Sequence, residues 1–68
     1  MNTYYIRDGM QKILGVIEED NNGNKKVYDF YRKILGTYNK RQDITYDFYG
    51  RIFARGDASS GLIYANKR

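Results

Sequence analysis

The chain contains no cysteine and no histidine in 68 residues. Those two absences remove disulfide cross-links and the commonest zinc ligands together. A single domain of this length buries only about 60% of the surface its unfolded chain exposes, so it is marginal without added support. With disulfides and structural metal set aside, self-association is the support that remains, and a homo-oligomer, a dimer first, is expected. The lack of cysteine leaves the redox compartment open. No apolar run approaches the roughly 18 residues of a membrane span, and the opening MNTYYIRDGM lacks the charged-then-apolar layout of a secretory signal. A cytoplasmic protein without membrane contact is the expectation. The final Asn66-Lys67-Arg68 is too short to read as an address.

Acidic residues are few where basic ones gather. Twelve Lys/Arg against eight Asp/Glu give a net charge of +4. Residues 1–24 hold Arg7 and Lys12 against Asp8, Glu18, Glu19 and Asp20, a balance of −2, so residues 25–68 carry +6. A basic, aromatic-rich stretch suits nucleic acid or another anionic partner. It equally suits the solvated surface of a small Lys-, Asn-, Ile- and Tyr-rich protein.

What the chain does have is repetition. RDGMQKILG (7–15), YDFYRKILG (28–36) and YDFYGRIFA (46–54) align without gaps, opened by Asp8, Asp29 and Asp47, with Ile13, Ile34 and Ile52 five residues later. The spacings, 21 and then 18 residues, lie in the range of small repeat architectures. The units divide one domain into repeats near 4–24, 25–42 and 43–56, with an atypical C-terminal cap at 57–68.

The hydrophobic period is ambiguous. Met10, Ile13, Leu14 and Ile17 fall at i, i+3, i+4 and i+7, as do Val27, Phe30, Tyr31 and Ile34, which taken alone predicts helices and a small three-helix domain. Three features oppose that. Gly15 and Gly36 sit in mid-pattern, where each costs about 1 kcal/mol in a helix interior. The apolar residues are Tyr, Ile, Val and Phe rather than Ala and Leu. Asn21-Asn22-Gly23-Asn24 is a hairpin-turn signal. Asp47-Phe48-Tyr49-Gly50 then explains the repeat: Asp suits the first position of a type I turn, and Gly50 the left-handed fourth position of a bulged hairpin. The expectation is a mainly β fold of about six short antiparallel strands, near 3–7, 12–18, 25–29, 32–38, 43–47 and 51–55, completed by dimerisation. A short helical turn from Asp57-Ala58-Ser59-Ser60 would set Leu62, Ile63 and Tyr64 against one end.

With those residues in hand, TYDFYGRI at 45–52 resembles the tyrosine–aspartate (YD-type) β-hairpin repeats, which read roughly YDxxGRI followed by a second apolar strand, as in small flower-like or solenoid-like bacterial β-domains. The third unit matches through Tyr46, Asp47, Gly50, Arg51 and Ile52. The second keeps Tyr28, Asp29 and Ile34, with Arg32 in place of Gly and Lys33 in place of Arg. The first keeps Asp8 and Ile13, with Arg7, Gln11 and Lys12 at the other positions. The likeness spans residues 6–55 and implies a β-hairpin repeat without catalytic residues. The wrapping shell built by such repeats in large proteins does not transfer to a chain this small.

Three residue sets are candidates for function. The tyrosines of equivalent strands, Tyr28 with Tyr46 and Tyr31 with Tyr49, are expected to stack as neighbours, forming a binding or dimer face or a half-buried sheet face. The bases Arg32, Lys33, Arg51 and Arg55, on outgoing strands, would join them in grasping a protein or, by backbone neutralisation and base stacking, single-stranded nucleic acid. Lysines and arginines on strands also guard edges against aggregation. Asp8, Asp29, Asp47 and Gly50 are structural turn residues. Glu18-Glu19-Asp20-Asn21-Asn22 lacks the alternating acids of a calcium loop, so no metal is expected. No nucleophile–base constellation or phosphate-cradling glycine loop is present, so neither catalysis nor a cofactor is expected.

The leading expectation is a non-enzymatic β-repeat module for self-association and protein binding. The alternatives are a nucleic-acid-binding protein using a Tyr and Lys/Arg face, or a small inhibitor or accessory protein of a mobile element. The units agree in the turn Asp, the Ile and the small Gly/Ala. They differ where Gly9-Met10 becomes Phe30-Tyr31 and Phe48-Tyr49, and a working surface is expected there.

Overall fold

A computed structural model describes residues 1–66, so the last two positions of the expected 57–68 cap lie outside the described residues. Six strands, β1 (Asn2–Arg7), β2 (Ile13–Glu19), β3 (Lys25–Asp29), β4 (Ile34–Asn39), β5 (Ile44–Asp47) and β6 (Ile52–Arg55), form one antiparallel sheet in chain order. One helix, α1 (Ser59–Asn66), follows. The fold is mainly β, and the three-helix alternative is set aside.

The aspartates make the turns. Asp8, Asp29 and Asp47 each donate their backbone N–H to the carbonyl four residues on, at 2.9, 2.9 and 2.8 Å. Each Oδ1 accepts two backbone N–H groups, from Met10 and Lys12, Tyr31 and Lys33, or Tyr49 and Arg51, at 2.8–3.0 Å. The carboxylate thus mimics a backbone turn. Asp20 repeats the arrangement with Asn22 and Asn24 at the opposite end of the sheet. The fourth residue of each turn is left-handed: Gln11, Gly23, Arg32 and Gly50 have φ of 66°, 85°, 67° and 80°. Two of the four accept this conformation without glycine.

After each of the first-end turns the outgoing strand carries one extra residue. Ile6 faces Gly15 while Arg7 faces Ile13; Val27 faces Gly36 while Tyr28 faces Ile34; Thr45 faces Ala54 while Tyr46 faces Ile52. Leu14, Leu35 and Phe53 are therefore the inserted residues of three equivalent β-bulges, which bend and further twist their strands. The repeated Ile-Leu-Gly, Ile-Leu-Gly, Ile-Phe-Ala is the sequence of this bulge.

The bulges prepare one face of the sheet for α1. Leu14 and Leu35 pack against a core of Ile17, Val27, Leu62 and Ile63. A Cβ on Gly15 would lie 2.8 Å from Ile63 Cδ1, and one on Gly36 2.8 Å from Leu62 Cδ1, so both glycines are the floor on which the helix rests. The start of the helix is tied to the sheet by polar contacts. The fully buried Thr45 hydroxyl donates to the Gly56 carbonyl (2.8 Å) and accepts the Ala58 N–H (2.9 Å). Asp57 accepts the Ser59 N–H and pairs with the Lys25 ammonium. Burial pushes the Asp57 carboxyl up, but its bonds from Lys25 and Ser59 outweigh this and hold it below the usual carboxylate range.

Two expectations are corrected here. The helix does not close one end of the strand array; it lies over the face of β2, β3 and β4, with Leu62 and Ile63 inward and Tyr64 exposed. The sheet is a simple meander, so β4 separates Tyr28 from Tyr46. Their cross-strand partners are Val16 and Ile34 for Tyr28, Thr37 and Ile52 for Tyr46, and they do not stack on each other.

Candidate functional site

Because hairpins β1–β2, β3–β4 and β5–β6 all turn at the same end of the meander, their tips stand side by side. The second tip carries Phe30 and Tyr31, ring centroids 5.2 Å apart and 79° edge-on. The third repeats this with Phe48 and Tyr49, 5.3 Å and 76°. These rings are left in solvent: Tyr31 is 84% exposed and Tyr49 75%. Side chains this large and apolar are normally found buried or at interfaces.

Between neighbouring tips, on the α1 side, lie two slots. The first, about 170 Å³, is lined by Lys12 and Leu14 of the first unit, Phe30 and Tyr31 of the second, and Ile63 of α1. The second, about 480 Å³, is lined by Lys33 and Leu35 of the second unit, Phe48 and Tyr49 of the third, and Leu62 of α1. Lys12 corresponds to Lys33 in the repeat, Leu14 to Leu35, Phe30 to Phe48 and Tyr31 to Tyr49. The repeat thus builds one site twice, each copy taking its base and bulge leucine from one unit and its aromatic pair from the next. The first unit, whose tip faces no preceding one among the described residues, carries Gly9-Met10 instead of an aromatic pair.

The rim of this row is basic. Lys12 lines the first slot and Lys33 and Arg51 the second, with the Arg51 guanidinium 5.1 Å from the Tyr49 ring, while Arg32 turns to Glu18 at 3.5 Å. The nearby acids are Asp8, Asp29 and Asp47, whose Oδ1 atoms hold their own turns, and Asp47 Oδ2 also pairs with the Arg51 guanidinium at 3.2 Å. Burial would push the Asp47 carboxyl up, but the N–H bonds from Arg51 and Tyr49 and the Arg51 charge prevail, so it stays below the usual carboxylate range and ionised at neutral pH. Each slot therefore offers an aromatic wall, an aliphatic floor and a cation at the mouth.

Of the sequence-derived binding set, Tyr31, Arg32, Lys33, Tyr49 and Arg51 lie on this row. Arg32, Lys33 and Arg51 belong to the turns that precede β4 and β6 rather than to the strands. Tyr28 and Tyr46 lie on the sheet face opposite α1, and Arg55 lies at the far end of β6, so the expected set does not form one face. Lys12, Leu14, Leu35, Leu62 and Ile63 were not in the set. For Lys12, Leu14 and Leu35 the signal lies in pairing each unit's K-I-L with the following unit's F-Y, and Leu62 and Ile63, outside the units, carry no such signal.

A larger groove, about 570 Å³, opens near the opposite end, with Lys25, Lys26, Tyr38 and Tyr46 among its lining. Several of its polar groups are already engaged. The Tyr38 hydroxyl donates to Asp43, that of Tyr46 to Gln42, and Lys25 pairs with Asp57. It presents balanced charge and no exposed aromatic pair, so it ranks below the tip row. Among the described residues no group of three or more acidic side chains is placed to hold a metal, and no helix is long and apolar enough to cross a membrane. No known protein family, curated protein or solved structure matches the chain.

Proposed function

We propose that the protein is a non-enzymatic module that binds another protein through the hairpin-tip row. The observation that carries this is the coincidence of aromatic pairs with slots: Phe-Tyr occurs at the two tips that close a slot on a preceding unit, and Gly-Met at the tip that does not. The turn needs only its Asp and a left-handed fourth residue, as the Asp20 turn demonstrates with two asparagines between them. The rings are thus spare to the fold and suited to act as interface anchors, a role in which aromatics and arginine dominate.

Self-association belongs to the same proposal, and β1 is the edge that suits it. Continuing the meander head to tail, with β6 against β1 of a second copy in the register shared by Val16–Tyr28 and Thr37–Tyr46, would oppose Arg55 to Arg7. A two-fold pairing of β1 with its copy, centred between Tyr4 and Tyr5, opposes Arg7 to Asn2 and leaves like charges apart.

Affinity capture with the wild-type chain and with a Tyr31→Ser/Tyr49→Ser variant tests the binding reading. Both side chains are exposed, so the thermal midpoint should stay close to wild type. Proteins retained by the wild type and lost with the variant are the expected result. Equal capture by both, or retention of nucleic acid alone with binding that falls steeply with salt, would overturn it. For self-association, light scattering should return twice the monomer mass, and a monomer at every concentration would reject that half.

A further inference from the structure

Resting on the protein-binding reading of the tip row, we infer that its two slots are filled together by one extended, acidic segment of the partner carrying two apolar side chains three residues apart. The geometry supplies the spacing. The slots are related by one repeat unit, hence by two strand positions, or about 9.5 Å at the usual inter-strand distance. In a polyproline-II segment, residues i and i+3 point the same way and are about 9.3 Å apart. In a flat β-strand, i and i+3 point to opposite sides, and i, i+2 falls short of the span.

The slot sizes favour side chains rather than a folded element. The first, about 170 Å³, is below the roughly 300–1,000 Å³ of small-molecule pockets and has room for a single side chain. The second, about 480 Å³, takes a larger one and sets the direction of the segment. Charge supplies the rest. Lys12 stands at the first slot and Lys33 at the second, where Arg51 is already paired with Asp47, so each slot keeps one net positive charge. Carboxylates flanking the two anchors complement that rim, and they act more on specificity and association rate than on bulk affinity.

The test uses fluorescein-labelled peptides in which two phenylalanines, flanked on each side by two glutamates, are separated by one to six residues. Anisotropy titration against the full chain should show an optimum at two intervening residues, at least tenfold tighter than at one or four. Replacing the glutamates by lysines should cost tenfold or more, as should Lys12→Glu/Lys33→Glu in the protein, with circular dichroism confirming that this variant is folded. An optimum at six intervening residues, the pitch of two helical turns, would overturn the extended segment. Absence of any optimum, alongside tip-dependent capture of protein, would overturn the inference and leave the protein-binding reading intact. Tighter binding of an oligo-dT strand than of every peptide would overturn both.

Discussion

Replacing Gly36 by alanine should unfold much of what α1 contributes. In an ordinary strand the change would stabilise, since glycine there is roughly 0.5–1 kcal/mol worse than alanine. Here the new Cβ would sit 2.2 Å from the Tyr46 carbonyl oxygen, 2.8 Å from Leu62 Cδ1 and 3.2 Å from Asp47 Cα. The first and last obstacles are backbone of β5, which can move only by disturbing the β4–β5 ladder. Overpacking typically costs about 1–3 kcal/mol, and backbone obstacles place this case near the upper figure. A domain of this size holds on the order of 3–10 kcal/mol in total, so the loss is a large fraction. At about 4–8 °C per kcal/mol, a loss near 3 kcal/mol lowers the midpoint by roughly 12 °C or more. Gly9→Ala is the internal control, because nothing lies within 4 Å of its added Cβ, and it should stay within about 0.5 kcal/mol of wild type. Thermal melts followed by far-UV circular dichroism at one fixed protein concentration, so that association does not shift the midpoint, make the comparison. A Gly36→Ala midpoint equal to that of wild type would refute the glycine floor.

Thr45→Val keeps the side-chain shape but strips the hydroxyl from the Gly56 carbonyl and the Ala58 N–H, and should cost about 1–3 kcal/mol in chemical denaturation; a change under a few tenths would contradict the role assigned to that hydroxyl. Arg32→Gly removes the left-handed penalty at φ 67° and gives up only an exposed 3.5 Å pairing with Glu18. It should gain about 0.5–1 kcal/mol, and a loss would mean that the turn is held by the arginine side chain. The bond to Asp43, together with burial, pushes the Tyr38 hydroxyl up to about 12. The folded state therefore holds this proton more tightly than the unfolded state, and the contribution is complete below pH 10 and lost as pH rises from 10 toward 12. Tyr38→Phe should flatten that alkaline limb in a pH series of melts, and an unchanged limb would place the titration elsewhere.

The sheet could be read from the chain because its turns are chemically explicit: an aspartate whose carboxylate caps the turn, and in two cases a glycine at the left-handed position. The fourth such turn, opened by Asp20, carries the same D-x-x-G signature as Asp47, although its two asparagines are the more conspicuous turn signal. The helical period that competed with the β reading has a structural cause. A β-bulge puts consecutive residues on one face, so Leu14, Gly15 and Ile17, like Leu35, Gly36 and Tyr38, share a face at offsets of one and three, imitating a helix. The true helix was hard to place because Ser59, Ser60 and Gly61 have weak propensity for it. Burial of Leu62 and Ile63 on the two glycines supplies the packing that its composition lacks. The slots were hidden for another reason. Each joins Lys and Leu of one unit to Phe and Tyr of the next, and the tyrosine pairing drawn from the repeat ignored the strand that a meander inserts between equivalent positions.

The most direct measurement is site-specific photo-cross-linking, with benzoylphenylalanine in place of Tyr31 or Tyr49 on the tip row, of Tyr5 on β1, or of Tyr64 on the outer side of α1. The account predicts adducts to the same partner protein from positions 31 and 49 and none to it from 5 or 64. Adducts from 5 or 64 with none from 31 and 49 would contradict it.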